Sequence, residues 1–124
     1  MKRYILPALC VALAGISPAA TALSPSQVKW CQKTAGDFPA RQASIQKDNA
    51  TRQELAAAAE LAGEEWENAE TLRNLGPDNA AAADAAKEAY ENAKAAFYEL
   101  DESVTSRAVS LNADFEKFNK VCVS

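Results

Sequence analysis

The chain has 124 residues, with 17 acidic and 13 basic side chains and no histidine, so its formal charge at pH 7 is −4. This length suits one domain with a modest core. The acidic balance argues against duplex nucleic acid and anionic lipid surfaces as partners, because both are bound through basic footprints. The missing histidine removes the commonest general base, the usual haem ligand and the imidazole ligands of di-iron helical bundles.

Residues 1–22 have the three parts of a cleavable signal peptide. Lys2 and Arg3 provide the positive start, an apolar stretch follows, and small residues precede a cleavage point after Ala22. Proline and glycine interrupt the apolar stretch before it reaches the roughly 20 residues needed to cross a bilayer, which argues against a retained anchor. We therefore expect an exported chain, residues 23–124, that is periplasmic or secreted and is not inserted in the membrane after cleavage.

Two cysteines remain after cleavage, Cys31 near the start and Cys122 near the end. An oxidising compartment favours pairing when the number of exported cysteines is even, and only one pairing is available. We predict a disulfide between Cys31 and Cys122. This bond would leave no cysteine nucleophile and no thiolate ligand for a soft metal.

The exported chain begins with signals for a short helix. In Ser24-Pro25-Ser26-Gln27, the serine side chain can accept a hydrogen bond from the Gln27 amide, and proline lies where no N–H is needed. Apolar residues then recur at helical spacing. The glycine and proline within residues 36–39 predict that this helix breaks or kinks there, which would make it a short extra N-terminal helix at the base of the fold.

Strong helix formers dominate from residue 39 onward and predict a long second helix that ends near Leu75. Gly76-Pro77 is the clearest turn signal in the chain, because glycine can terminate a helix and proline cannot continue one. The chain therefore reverses direction at this point.

A third helix is predicted from about residue 80 to residue 121, with Asp78 or Asn79 as its cap. Its apolar residues alternate between spacings of three and four, which is typical of a coiled-coil seam. Two successive spacings of four around Val104 predict a local loss of left-handed supercoil. The seam comprises Ala86, Tyr90, Ala93, Phe97, Leu100, Val104, Ala108, Leu111, Phe115, Phe118 and Cys122.

The cysteine positions provide an independent check of the chain reversal. Cys31 lies 45 residues before Gly76 and Cys122 lies 46 residues after it, so helices rising about 1.5 Å per residue bring both cysteines to one height. The same reversal faces Phe38 with Phe115, Ile45 with Ala108, Arg52 with Asp101, and Trp66 with residues 86–90. We expect an all-α fold: an elongated, coiled-coil-like antiparallel helical hairpin, closed by one disulfide, in a single domain over residues 23–124.

The polar residues favour binding over catalysis. No nucleophile, acid and base can be assembled into one constellation, so we expect no enzyme and no cofactor or metal site. Residues 54–102 contain 13 acidic and 3 basic side chains, a net charge of about −10, whereas the rest of the exported chain has 4 acidic and 8 basic side chains. We interpret the acidic segment as a candidate surface for a protein partner, and its charge favours a basic one. The candidate contact residues are Glu64, Glu67, Glu91 and Trp66.

These features also have structural interpretations. An acidic helix face keeps an alanine-rich helix soluble, and Trp66 can pack over small side chains of the facing helix instead of contacting a partner. Alanine runs at residues 56–59 and 80–83 allow either close approach of the two helices or packing against another copy. The sequence therefore leaves a homo-oligomer open.

The sequence favours an exported, non-enzymatic helical protein that binds another protein in the bacterial envelope, as an adaptor, a scaffold or a chaperone-like protein. The alternative hypothesis is a periplasmic or secreted inhibitor or immunity-type protein. In that case the acidic segment would block a basic enzyme.

Overall fold

The computed structural model describes residues 22–123, so the predicted signal peptide lies outside the described residues except for Ala22. Helix α1 spans Pro25–Thr71, a 3-10 turn spans Arg73–Leu75, helix α2 spans Pro77–Phe118, and a π-helical turn spans Asn119–Val123. The two long helices pack against each other as an antiparallel pair, which confirms the predicted hairpin. In this part of the chain, no helix has the length and apolarity needed to span a membrane.

Helix α1 begins with the predicted capping box. The Gln27 backbone N–H donates to Ser24 Oγ at 3.3 Å, and the Ser24 N–H donates to Gln27 Oε1 at 2.8 Å. Pro25 occupies the first helical position, where its missing N–H costs no hydrogen bond. Local sequence alone therefore determines where this helix begins.

The predicted break at residues 36–39 is wrong, because α1 runs through this segment as one helix. The described residues accordingly contain no separate N-terminal helix. Pro39 costs α1 one backbone hydrogen bond, since it has no N–H. The disulfide at Cys31 lies before the segment, and Phe38 packs against two phenylalanines of α2 within it. These tertiary contacts outweigh the weak local propensity.

The turn between the helices centres on Gly76. Its backbone has φ 157° and ψ 169°, a region used almost exclusively by glycine. Its carbonyl accepts from the Ala80 N–H at 3.1 Å, so Gly76 itself is the N-cap of α2 and Pro77 follows at the first helical position. The sequence predicted Asp78 or Asn79 as the cap, and this prediction is wrong. Both residues lie within the first turn of α2.

The helices meet along a regular heptad seam. Buried or half-buried side chains alternate between spacings of three and four over residues 31–73 of α1 and residues 83–121 of α2. The predicted apolar seam of α2 lies in this interface, except that Phe115 is 51% exposed. Only a thin core results. The buried residues in the described chain are Cys31, Ala83 and Val104.

The burial pattern contains no irregularity around Val104, contrary to the prediction from the apolar residues. The next seam positions are occupied by Arg107, Leu111 and Asp114, which continue the alternation of three and four. A seam predicted from apolar residues alone leaves out charged residues. It therefore misses the seam positions of Arg107 and Asp114. The heptad repeat continues to the end of α2.

The predicted register is confirmed along the length of the hairpin. Cys31 and Cys122 form a disulfide with their Cα atoms 5.9 Å apart, a normal separation for this bond. The confirmed facing pairs are Phe38 with Phe115 at 5.3 Å between ring centroids, Arg52 with Asp101 at 2.7 Å, and Trp66 with Tyr90 at 5.6 Å between ring centroids.

Candidate partner-binding surface

The hairpin has two halves of opposite charge. We call residues 54–102, which include the turn, the distal half, and residues 23–53 with 103–123 the basal half. The distal half has 13 acidic and 3 basic side chains, whereas the basal half has 4 acidic and 8 basic side chains. Because antiparallel helices place these segments at opposite ends, the charge is polarised along the hairpin.

The three predicted contact glutamates, Glu64, Glu67 and Glu91, are all exposed. They belong to a larger set of ten distal carboxylates that are exposed and make no ion pair with any described residue. These carboxylates therefore face solvent without a partner from the hairpin. The set is Glu54, Glu60, Glu64, Glu65, Glu67, Asp78, Glu88, Glu91, Glu99 and Glu102.

The cations of the distal half, in contrast, are engaged within the hairpin. Arg73 donates to Glu70 at 2.8 and 3.0 Å and reaches across the turn to Asp84 on α2 at 2.7 Å. The hydrogen bond from Arg73 lowers the pKa of the Glu70 carboxyl, and the pKa of the guanidinium is raised in turn by Glu70 and Asp84. Arg73 thus joins the end of α1 to the start of α2.

Trp66, predicted either as a partner contact or as a packing residue, is half-buried and packs inside the hairpin. It stacks on Tyr90 at 23° between ring planes, and Lys87 Nζ lies 5.9 Å from its ring centroid. Lys94 Nζ lies 5.1 Å from the Tyr90 centroid. Gly63 permits this arrangement, because a Cβ there would approach the Tyr90 ring to 3.3 Å. Both distal lysines therefore cover aromatic rings of their own hairpin.

Exposed apolar side chains accompany the distal carboxylates. Leu72 is 47% exposed and Leu75 is 74% exposed, and both lie at the turn between the helices. Leu61 and Tyr98 are similarly exposed on the helices, at 58% and 60%. Sequence reasoning missed the three leucines, which are apolar residues outside the seam. They offer a partner apolar contact within an acidic surface.

In the basal half, two ion pairs join the two helices. The sequence Arg-x-x-Ser-x-x-x-Asp occurs twice, in residues 41–48 of α1 and in residues 107–114 of α2. Each arginine contacts the serine and the aspartate of the other helix, so the contacts are reciprocal. Arg41 donates to Asp114 at 2.7 Å and to Ser110 at 3.3 Å, while Arg107 donates to Asp48 and, at 3.0 Å, to Ser44.

We call these two motifs the reciprocal clamp. A heptad seam alone permits a shift of the helices by one repeat, but such a shift would separate all four partners of the clamp at once. The clamp therefore fixes the register. The repeated motif, at a separation of 66 residues, is the sequence signal that could have revealed it.

The cavities at the surface are open grooves. One of about 310 Å³ lies beside the reciprocal clamp, and its arginine and serine side chains already hydrogen-bond across the helices. Among residues 22–123, no group of three or more cysteine, aspartate or glutamate side chains is arranged to hold a metal ion. This surface is better suited to contact with a macromolecule than to enclosure of a small ligand.

Comparisons of the chain with protein-family models, with curated protein sequences and with solved structures found no match. The charge and geometry of the hairpin are therefore the basis for a functional proposal.

Proposed function

We propose that this is an exported, non-enzymatic protein of the bacterial envelope that binds a basic protein partner through its distal half. Cleavage after Ala22 would release residues 23–124 into the periplasm or the medium. The observation that supports this proposal is that most acidic side chains of the distal half are unpaired, whereas its basic side chains are not. Ten exposed carboxylates lack an ion pair, whereas all three cations contact the hairpin itself.

This arrangement suits long-range attraction followed by close contact. A segment with a net charge of about −10 attracts a basic surface and accelerates encounter, an effect that is screened beyond about 8 Å at an ionic strength of 0.15 M. Exposed Leu72 and Leu75 then supply apolar contact at the turn. The basal half acts as the scaffold that holds this surface in place.

An inhibitor or immunity-type protein is a narrower form of the same proposal, in which the basic partner is an enzyme. The observation that favours it is Leu75, which is 74% exposed at the turn of the hairpin. An apolar side chain at the end of a narrow, acidic hairpin suits insertion into a cleft on a cationic protein.

Affinity capture with charge-reversed variants tests the proposal. Residues 23–124 would be immobilised and exposed to an envelope extract at low salt. We expect the E64K/E67K/E91K variant to lose the proteins that the original chain retains, because the three reversals reduce the net charge of the distal half from about −10 to about −4 and place lysines against a basic partner. Salt above about 0.15 M should release them from the original chain as well.

Paired double variants provide the control. E64K/E67K and D37K/E116K change the net charge equally and replace only exposed residues, the first pair in the distal half and the second in the basal half. The proposal predicts loss of binding in the first and retention in the second. Equal binding by both double variants, or binding that does not respond to salt, would overturn it. A single basic enzyme among the retained proteins would identify an inhibitor, and many unfolded proteins a chaperone.

A further inference from the structure

The basal end of the hairpin differs from the rest of the molecule in its charge. We call residues 23–36 and 117–123 the basal end, and the disulfide joins its two segments. It contains four lysines and no acidic side chain, and all four lysines are exposed. The negative charge of the whole chain conceals this basic footprint. The lysines are Lys29, Lys33, Lys117 and Lys120.

Apolar and aromatic side chains lie among these lysines. Val28 is 39% exposed and Val123 is 68% exposed. Lys117 Nζ lies 5.0 Å from the centroid of the Trp30 ring, and a groove of about 290 Å³ flanks this tryptophan. A second groove beside Trp30, of about 210 Å³, is also lined by Asp37 and Asp114, which lie just outside the basal end. Tryptophan favours the interface between bilayer and water, where lysine can extend its ammonium group to the phosphates.

The acidic distal half lies far from the basal end. Along α1, Gly36 at the edge of the basal end and Glu54 at the start of the distal half are 18 residues apart, or about 27 Å, which is about three times the screening length of about 8 Å at 0.15 M ionic strength. An anionic surface would attract the basal end and repel the distal half. Electrostatics alone would thus orient the hairpin with its long axis away from such a surface.

We propose that the basal end docks onto the surface of an anionic phospholipid bilayer. The lysines contact lipid phosphates, while Val28, Val123 and the edge of Trp30 enter the headgroup region. This contact is peripheral, and it leaves the distal half directed away from the membrane. It uses a different surface from the proposed protein-binding site and does not depend on it.

Co-sedimentation with lipid vesicles tests the docking. Residues 23–124 would be mixed at low salt with vesicles of one-third phosphatidylglycerol and two-thirds phosphatidylethanolamine, and separately with phosphatidylcholine vesicles. We expect binding to the anionic vesicles only, and release at high salt. Each lysine near an anionic surface contributes about a fivefold gain in partitioning, so K29E/K33E should weaken binding by at least about 25-fold.

Single reversals provide a matched control. K33E and K47E each replace an exposed lysine of α1 and change the net charge equally, but Lys47 lies 14 residues further along the helix, about 21 Å away. We expect K33E to weaken binding about fivefold or more, and K47E by less than about twofold. Equal loss in the two variants would show general charge attraction and overturn the proposal.

The two tryptophans report the orientation. Trp66→Phe leaves only Trp30 at the basal end, and Trp30→Phe leaves only Trp66 in the distal half. With brominated lipids in the anionic vesicles, the fluorescence of Trp30 should be quenched and that of Trp66 should not. Equal quenching of both, or no sedimentation of the original chain with anionic vesicles at low salt, would overturn the proposal. Neither result bears on protein binding by the distal half.

Discussion

The basal and distal halves belong to the same two helices, yet different interactions hold them together. The basal half has the disulfide, a cluster of phenylalanines and the reciprocal clamp. The distal half has small side chains in the seam, one stacked aromatic pair and one arginine at the turn. The reciprocal clamp of the basal half fixes the register, so the ten unpaired carboxylates of the distal half are not needed for it. Their outward surface can therefore serve another purpose.

The seam itself differs between the halves. Alanine allows close approach of two helices, but it buries little apolar area, and each buried methylene contributes only about 0.8 kcal/mol. The distal seam relies on alanine at several positions, including the fully buried Ala83. The basal seam contains Phe38 between Phe115 and Phe118, at 5.3 and 5.4 Å between ring centroids. We therefore expect the distal half to open before the basal half.

The largest predicted effect comes from the disulfide. It joins residues 91 positions apart, and loop-closure entropy predicts that reduction lowers the free energy of unfolding by about 4 to 5 kcal/mol. Urea unfolding of the oxidised and reduced chain measures this difference. Cys31→Ser should be nearly as destabilising as the double serine variant. A reduced chain as stable as the oxidised one would show that the basal half does not depend on its covalent link.

The second prediction compares arginines of the two halves. Arg107→Ala removes the contacts with Asp48 and Ser44 and should lower the free energy of unfolding by about 1 to 2 kcal/mol, because these half-exposed ion pairs are partly screened. Arg73→Ala in the distal half should cost less, since the ion pairs at the turn do not determine the register. Urea unfolding of both variants measures the difference. A greater loss of unfolding free energy for Arg73→Ala than for Arg107→Ala would show that the ion pairs at the turn stabilise the hairpin more than the reciprocal clamp does.

The third prediction uses a glycine from each half. In Gly36→Ala, the new Cβ meets nothing within 4 Å, so helix propensity should stabilise the chain by about 1 kcal/mol. In Gly63→Ala, the new Cβ lies 3.3 Å from the Tyr90 ring, and displacement of the ring should offset most of that gain. Thermal unfolding measures both. Equal stabilisation by the two substitutions would mean that Tyr90 does not rest against α1.

The smallest predicted effect depends on pH. Arg73 lowers the pKa of Glu70 in the folded chain. The ion pair therefore stabilises the fold fully above the ordinary glutamate pKa of about 4.3. This stabilisation is lost as the pH falls through the lower pKa that Glu70 has in the folded chain. A titration of the Glu70 carboxyl by NMR should show a low midpoint, which Arg73→Gln moves upward. An unchanged midpoint in that variant would show that Arg73 does not determine the pKa of Glu70.

Much of this fold follows from spacing along the sequence. The rise per residue and one clear turn predict the disulfide, and they predict the facing of Phe38 with Phe115 and of Arg52 with Asp101. These predictions succeed because the axial register of a two-helix hairpin depends on one variable, the position of the turn. Local signals also give the capping box correctly.

The errors have a common physical cause. Glycine and proline at residues 36–39 predict a break only while α1 is considered alone, and contacts with α2 keep it helical. The seam likewise looks irregular when only apolar residues are counted, because Arg107 and Asp114 occupy seam positions in pairs with α1. For Trp66, the sequence leaves open whether the side chain contacts a partner or packs within the hairpin. The stacking of its ring on Tyr90 decides for packing.

A hydrogen-exchange footprint tests the central claim most directly. Amide exchange would be measured in residues 23–124 alone and in complex with the protein that E64K/E67K/E91K fails to capture. The account predicts added protection within residues 54–102, strongest around the turn with Leu72 and Leu75, and unchanged exchange around the reciprocal clamp. Protection confined to the basal half, with the distal half unchanged, would contradict the claim that the acidic surface binds the partner.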